Sequence, residues 1–437
     1  MEKFMVFMDK YILPYATKLG GQRHLVAVRD AFIVMIPLTI IGSFATLINN
    51  MPFEALGKFL AENTFGQQIK AINGDIWWGT LAIMALLLVI GVAYNLAKSY
   101  EENALQAAMI ATSVFFFLAP QTASIIPEGA TQAVTGWGFM AVGYLGTTAL
   151  FTAIIVGILS TELFVRLGRL KWLVIKMPDG VPPAVSKSFA KLVPGMLTVL
   201  IFAILGLVLR VFTNGAFLTD IINKYVGIPL SGVTDSLGGA LIITLFIHGL
   251  WFVGLHGSNM ALPITETLLT KLGADNAALL AEGASPDKLH TLAGPFFDAF
   301  VHMGGAGLVI GLLVAIAIAG KRRRDMLALG TAPALFNINE PVIFGLPIVL
   351  NPIYGIPFII APLVATTISY LSISSGLVSP VIVTKIPWTT PPIIGGFLAT
   401  GHWSGAALAA VNIIVSIVIY LPFVYAAEKM EARREMM

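Results

Sequence analysis

Residues 341–384 read PVIFGLPIVLNPIYGIPFIIAPLVATTISYLSISSGLVSPVIVT, 44 residues without an Asp, Glu, Lys or Arg. A helix needs about 20 apolar residues to cross the hydrocarbon layer of a bilayer. This run is longer than one span, so it holds two spans, or a span and a hairpin. Further charge-free runs occupy 31–53, 76–97, 103–127, 236–265, 299–320 and 386–427. The chain of 437 residues is 57% hydrophobic and 11% charged, and its mean hydropathy is +0.87. A soluble domain carries roughly twice that charged fraction to cover its surface. The reading is an all-α polytopic membrane protein with about ten spanning or half-spanning helical segments.

Charge placement gives an orientation. Arg166, Arg169, Lys171, Lys176, Lys187 and Lys191 cluster in one connection, Lys321, Arg322, Arg323 and Arg324 in a second, and Lys429, Arg433 and Arg434 near the C-terminus. Segment 119–136 has no Lys or Arg. Positive loops stay inside, so the clusters and both termini are expected to be cytoplasmic and 119–136 outside. The KRRR run serves as a topology anchor. The formal net charge of +3 is too small to suggest nucleic acid. The chain has no cysteine, which excludes a disulfide, a thiolate nucleophile and a Cys-ligated metal. Phe4, Phe7, Met8, Tyr11, Ile12 and Tyr15 share one helical face, with Glu2, Lys3, Asp9 and Lys10 away from it. That pattern predicts an amphipathic helix at the membrane interface.

Two blocks differ in character. The first has regular spans expected at 31–50, 77–97, 104–119, 138–161 and 192–213, with Trp77 and Trp78 at an interfacial belt. The proline-rich segment KMPDGVPPAVSKSF, 176–189, falls between the last two. After a polar connection at 214–233 comes a span at 236–255. Residues 258–298 are too polar to span simply, and suggest short helices or a re-entrant hairpin. A hydrophobic run follows at 299–320. Beyond it, GTAPALFNINEPVIFGLPIVLNP is apolar yet interrupted by Pro333, Pro341, Pro347 and Pro352. Irregular backbone at membrane depth survives only where protein or a watery cavity satisfies it, and such breaks frame transporter substrate sites. The expected organisation is a scaffold half, 1–213, and a substrate half, 234–437.

Glu340 is the leading candidate for chemistry. It is the only charged residue between Met326 and Thr384, and an isolated carboxylate there needs a partner, a wet cavity or a proton. Asn337 and Asn339 lie beside it. HGLWFVGLHGSN, 248–259, supplies His248, Trp251, His256 and Asn259, a grouping that favours a polar cavity over packing alone. With no Cys and few acids nearby, no metal site is indicated. Trp388 in KIPWTTPPIIGG offers an aromatic face on which a sugar ring can stack. Asp298 and His302 in FFDAFVHMGG can face each other one helical turn apart. His24, His290 and His402 read as loop or boundary residues. No phosphate-binding GxxxxGK[ST] loop occurs, so an ATP-driven pump with its own motor is not indicated.

KMPDGVPPAVSKSF, HGLWFVGLHGSN and FNINEPVIFGLPIVLNP, with the opening RHLVAVRDAFIVMIPLTIIGS, together resemble one family across essentially the whole chain. It is the membrane subunit, enzyme IIC, of the bacterial phosphoenolpyruvate-dependent sugar phosphotransferase system. The branch it resembles transports lactose, cellobiose and N,N′-diacetylchitobiose. The resemblance implies a homodimer in the bacterial cytoplasmic membrane, with ten spanning helices, amphipathic helices and two re-entrant hairpins. It implies that the first five spans dimerise and that the second half carries the sugar and moves. The hairpin glutamate of the family falls on Glu340 and its sugar-binding histidine on His256. Trp251 and Trp388 match the aromatic positions flanking the sugar, and Asn339 sits in the matching NEP motif. Asn259, Asp298 and His302 complete the expected substrate-binding set. The implied partners are an uncharged disaccharide, membrane lipid and a separate enzyme IIB, because this branch carries its phosphoryl group on a cysteine that this chain lacks. No cofactor is implied. A proton-coupled sugar symporter, with Glu340 as the proton site, is the main alternative. A membrane enzyme acting on lipid-linked sugar is a third, and would be expected to show more charge at the interface.

Overall fold

The computed structural model describes residue 18 and residues 21–50, 54–125, 132–175, 178, 189–320, 323–346 and 348–435. The expected amphipathic helix over 4–15 lies outside the described residues. So do Lys321, Arg322, Pro347 and the segment 176–189 apart from Pro178 and Phe189. The described chain is predominantly helical, as expected of an all-α membrane fold. The exception is a two-stranded antiparallel ribbon, β1 (Thr122–Ile125) against β2 (Val134–Trp137). Six helices among the described residues are long and apolar enough to cross a membrane, and seven if a broken pair ending at Phe252 is one span. Ala104–Phe117 and Val309–Ala319 are shorter apolar helices.

The fold divides into two compact units. One comprises Gly21–Leu38 and Trp77–Leu230, the other Thr39–Ile76 and Ser231–Met437. Helix α1 (Arg23–Asn50) contributes to both, with Pro37 inside it where the division falls. Helices α2 (Glu54–Glu62) and α3 (Thr64–Gly79) follow.

The first unit is built from α4 (Met84–Ser99), α5 (Ala104–Phe117), α6 (Leu150–Gly168) and α7 (Leu192–Phe212). The buried stripe of α4 is Ala85, Leu88, Val89, Val92, Ala93, Leu96 and Ala97, the spacing of one helical face. Small residues bring the helices close. A Cβ on Gly157 of α6 would stand 3.0 Å from the Val92 side chain, the kind of approach that drives packing where lipid removes the hydrophobic incentive. Leu200, Ile204, Leu207 and Val211 leave an exposed apolar face on α7, suited to lipid. The span expected at 138–161 begins as helix only at Leu150, after two single 3₁₀ turns at Val142–Tyr144 and Thr147–Ala149. Glu162 on α6 accepts from His24 Nε2 at 2.8 Å, Arg166 Nε at 3.1 Å and the Tyr100 hydroxyl. Three donors thus satisfy one carboxylate near the end of a span. The Tyr100 hydroxyl, just beyond α4, is pushed up from its ordinary pKa, by burial first and by its bond to Glu162 second.

In the second unit α10 (Leu237–Phe252) runs into α11 (Gly257–Ala281), following short α8 (Leu218–Ile222) and α9 (Ile228–Thr234) of the connection. Ser236 caps α10 by accepting from Gly239 N at 3.0 Å. Its C-terminus is a left-handed stop: Gly254 has φ +84°, with Leu255 N on Leu250 O and Gly254 N on Trp251 O, both at 2.9 Å. Of the two alternatives expected over 258–298, short helices or a re-entrant hairpin, helix α11 sets aside the short helices. It continues for 25 residues because its charges are paired: Lys271 with Asp275 at 2.6 Å, and Glu266 with Lys385 at 2.6 Å. The expected run 299–320 is broken instead. Helix α12 (Phe296–Phe300) stops, a turn with Gly304, Gly305 and Gly307 at positive φ follows, and α13 (Val309–Ala319) restarts. Then come α14 (Asp325–Leu335), α15 (Glu340–Gly345), α16 (Pro352–Ser374), α17 (Ile394–Thr400) and α18 (Trp403–Glu435). The core gathers Phe296, Phe300, Leu308, Phe358 and Tyr420.

Gly257 sets the approach of α11 to α10, since a Cβ there would stand 1.9 Å from the Ile247 carbonyl oxygen. Gly257→Ala must push backbone against backbone. It is expected to destabilise the purified protein by roughly 1–3 kcal/mol, read as a lowered melting temperature in detergent; an unchanged melting temperature would show that the two helices part freely.

Candidate functional site

Where α14 ends, the chain must turn sharply into α15. Asn337 adopts the left-handed conformation, φ +61°, which Asn tolerates better than other residues with a side chain. Its N–H bonds to Ala334 O, and Ile338 N to Pro333 O, both at 3.0 Å, the paired bonds of a left-handed helix stop. Asn339 then stands at the N-cap position, Glu340 opens α15 and Pro341 follows in the first turn. Proline is harmless there because the first N–H groups of a helix lack partners anyway. A carboxylate is favoured at that end. The N-E-P order therefore projects Glu340 from a short helix start.

Across from it is His256, the N-cap of α11. Its Nδ1 accepts the backbone N–H of Asn259 at 3.2 Å. In the neutral ring the proton must then sit on Nε2. That Nε2 is 3.8 Å from Glu340 Oε1, beyond hydrogen-bond length. Both side chains are accessible, at 41% and 44% exposure. A donor and an acceptor thus lie close together, both accessible. Trp251 lies behind, its ring centroid 4.3 Å from that of His256. It is only 4% exposed, and among the described residues its Nε1 has no hydrogen-bond acceptor.

Asn337 and Asn339 are buried and act on the backbone. Asn337 Oδ1 accepts from Gly304 N at 2.8 Å, while Nδ2 donates to the carbonyls of Trp388 and Thr390 at 2.7 and 2.9 Å. Asn339 Nδ2 donates to Ala306 O at 3.0 Å. Through Asn337 the loop carrying Trp388 is joined to the turn carrying Glu340, and Trp388 itself is 47% exposed. Asn259 takes part through its backbone N–H.

Asp298 and His302 form a second group, 3.7 Å apart. The His302 ring stacks on Phe297 at 5.7 Å and lies 5.5 Å from His248. His248 is fully buried, with Nδ1 2.7 Å from Thr244 O. His290 is 2.9 Å from Asp235, and His402 pairs with Ser404. Sequence reasoning missed Lys385 and Glu266. Lys385 is the only Lys or Arg between Arg324 and Lys429, the same isolation that marks Glu340. Among the described residues no cluster of three or more His, Cys, Asp or Glu is arranged to hold a metal.

A model of the family described as "Phosphotransferase system, EIIC" matches residues 29–362. The chain belongs to that family. This EIIC chain is 38% identical over 438 residues to the lichenan permease IIC component of Bacillus subtilis (strain 168), covering 100% of this chain and 96% of that protein. It is 34% identical to the cellobiose-specific EIIC component of Lactococcus lactis subsp. lactis (strain IL1403), covering 99% of each. Its fold is similar to the crystal structure of ChbC, the IIC component of the N,N′-diacetylchitobiose-specific phosphotransferase system. The TM-score is 0.92 at 35% identity, over 98% of this chain and 99% of that one. The resemblance seen in the motifs is therefore a family membership, and the chain is a multi-pass membrane component of a sugar phosphotransferase system.

His256 carries two separable tasks on this geometry, a cap and an imidazole. His256→Asn keeps a capping acceptor and should melt as the parent does. His256→Ala should lose about 1 kcal/mol of stability. Equal melting temperatures for the two variants in detergent would show that the cap contributes nothing.

Proposed function

We propose that the chain binds an uncharged β-linked disaccharide, with diacetylchitobiose and cellobiose the best-fitting choices, moves it inward and presents its 6-hydroxyl for phosphorylation. The observation that carries the reading is the pairing of Glu340 and His256, 3.8 Å apart and both accessible. A sugar hydroxyl both donates and accepts, and this pair offers one group of each kind. Trp388 adds an accessible indole, whose face suits the apolar side of a pyranose. The relatives named for lichenan, cellobiose and N,N′-diacetylchitobiose point to the same sugar class.

The phosphoryl donor in this reading is a separate enzyme IIB, carrying the group on a cysteine. The 6-oxygen attacks phosphorus, the S–P bond breaks and the thiolate departs. The hydroxyl proton passes to Glu340. Glu340 thus orients or deprotonates the hydroxyl, and His256 holds a neighbouring one. Trp251 backs His256, while Asn339, Asn259, Asp298 and His302 shape the surroundings. Phosphoryl transfer depends mainly on positioning and charge control, which suits a site without a covalent carrier or a cofactor. Residues 234–437 act as the substrate-binding part, moving in an elevator-like manner against a dimerising scaffold of residues 1–213. The protein works as a homodimer in the bacterial cytoplasmic membrane, with its basic clusters and termini inside.

Uptake into proteoliposomes tests this against the symporter. Internal sugar should appear phosphorylated, and only when phosphoenolpyruvate, the upstream soluble proteins and IIB are supplied. Accumulation of free sugar driven by a proton gradient alone would overturn the proposal.

A further inference from the structure

Residues 384–393 carry Trp388 in a loop with no helix or strand. Such backbone is costly at membrane depth unless its polar groups are satisfied. The loop root is buried at Val383, Thr384 and Ile386, whereas Trp388 is accessible. An accessible indole on a buried root needs fasteners, and two side chains outside the loop's own turn supply them.

The first is Asn337. Its amide hydrogens take the carbonyls on both sides of residue 389, at 2.7 and 2.9 Å. Its oxygen is held by Gly304 N at 2.8 Å, so the amide cannot flip without losing all three bonds. The second is the ion pair of Lys385 with Glu266. Lys385 Nζ reaches both carboxylate oxygens, at 2.7 and 2.6 Å, and each side chain is only about one-sixth exposed. Glu266 lies on α11, the helix that begins at His256. Within the loop Thr390 closes a turn on Pro387 O through its N–H and its hydroxyl, at 2.9 and 2.6 Å. Trp388 is thereby referenced to both partners of the proposed pair, to Glu340 through Asn337 and to His256 through Glu266.

We infer that Asn337 and Lys385 are positioning residues that fix the Trp388 loop relative to the turn that carries Glu340 and the helix that begins at His256. The inference rests on the proposed sugar-binding role of Trp388 for its consequence, but the fastening itself is measurable without sugar. Because the chain has no cysteine, Thr389→Cys introduces a single thiol in the loop, half-buried as Thr389 is. In that background two changes release the fasteners. Asn337→Asp keeps the acceptor for Gly304 N and loses both donors. Glu266→Gln with Lys385→Gln removes both members of the ion pair, and Asp298, which also faces Lys385, keeps His302 beside it.

Maleimide should label the introduced thiol several times faster in either variant than in its Thr389→Cys parent, with no sugar present. In the chain without Thr389→Cys, Asn337→Asp should weaken binding of diacetylchitobiose or cellobiose by about tenfold. In a Trp388→Ala background the same change should weaken it no further. A residue that merely supports the fold would cost the same with or without Trp388. Unchanged labelling in both variants, or a full additional loss in the Trp388→Ala background, overturns the inference. Faster labelling with no effect of Trp388→Ala on binding would uphold the fastening and remove Trp388 from the proposed sugar site.

Discussion

Every backbone amide and carbonyl at membrane depth needs a partner, and this protein breaks its helices where that need is hardest to meet. Four buried amide side chains answer it. Asn276 donates to the carbonyls of His290 and Val381, and accepts from His290 N. Asn337 and Asn339 tie down the glycine turn at 304–306. Asn412 donates to Phe300 O at 3.0 Å. Asp235 takes the N–H groups of Thr291 and Leu292, and Tyr420 donates to Gly307 O. Each bond lands on irregular backbone or a helix end. Taking away one partner would leave a buried polar group unsatisfied, a cost of about 1–3 kcal/mol.

This constraint also explains where the proposed site is. A side chain on a continuous span points sideways, into a neighbour or lipid. A side chain at a broken helix start points along the axis into the gap. Glu340 and His256 both occupy such starts, and each is held by a local backbone device, the left-handed stop at Asn337 and the cap on Asn259 N.

Much of this was legible in the sequence, and the limits are physical. Charge-free runs reveal spans because ionised groups are excluded from lipid. Glu340 stood out as one carboxylate in an apolar stretch and His256 as one residue of a motif, but that the two lie 3.8 Å apart is seen only in the structure. Lys385 shows the same isolation, but its partner Glu266 is 119 positions away and nothing local points to it. Helix α11 reads as too polar for its length until Lys271, Asp275 and Glu266 are known to be neutralised by partners. The run at 299–320 conceals its break, since glycine is apolar by composition and its backbone freedom carries no hydropathy signal. The burial of Trp251 was also out of reach, because a tryptophan in an apolar span reads alike whether it lines a cavity or supports its wall.

In the proposed mechanism Glu340 acts on a sugar hydroxyl rather than shaping its hairpin. Glu340→Gln preserves size and a hydrogen-bond acceptor but removes the base. Binding of the disaccharide and its phosphorylation with IIB present should be measured on the same preparation. Phosphorylation should fall by roughly 10²–10⁴-fold, with a much smaller change in binding. Phosphorylation at the parent rate by a variant that binds normally would contradict this mechanism.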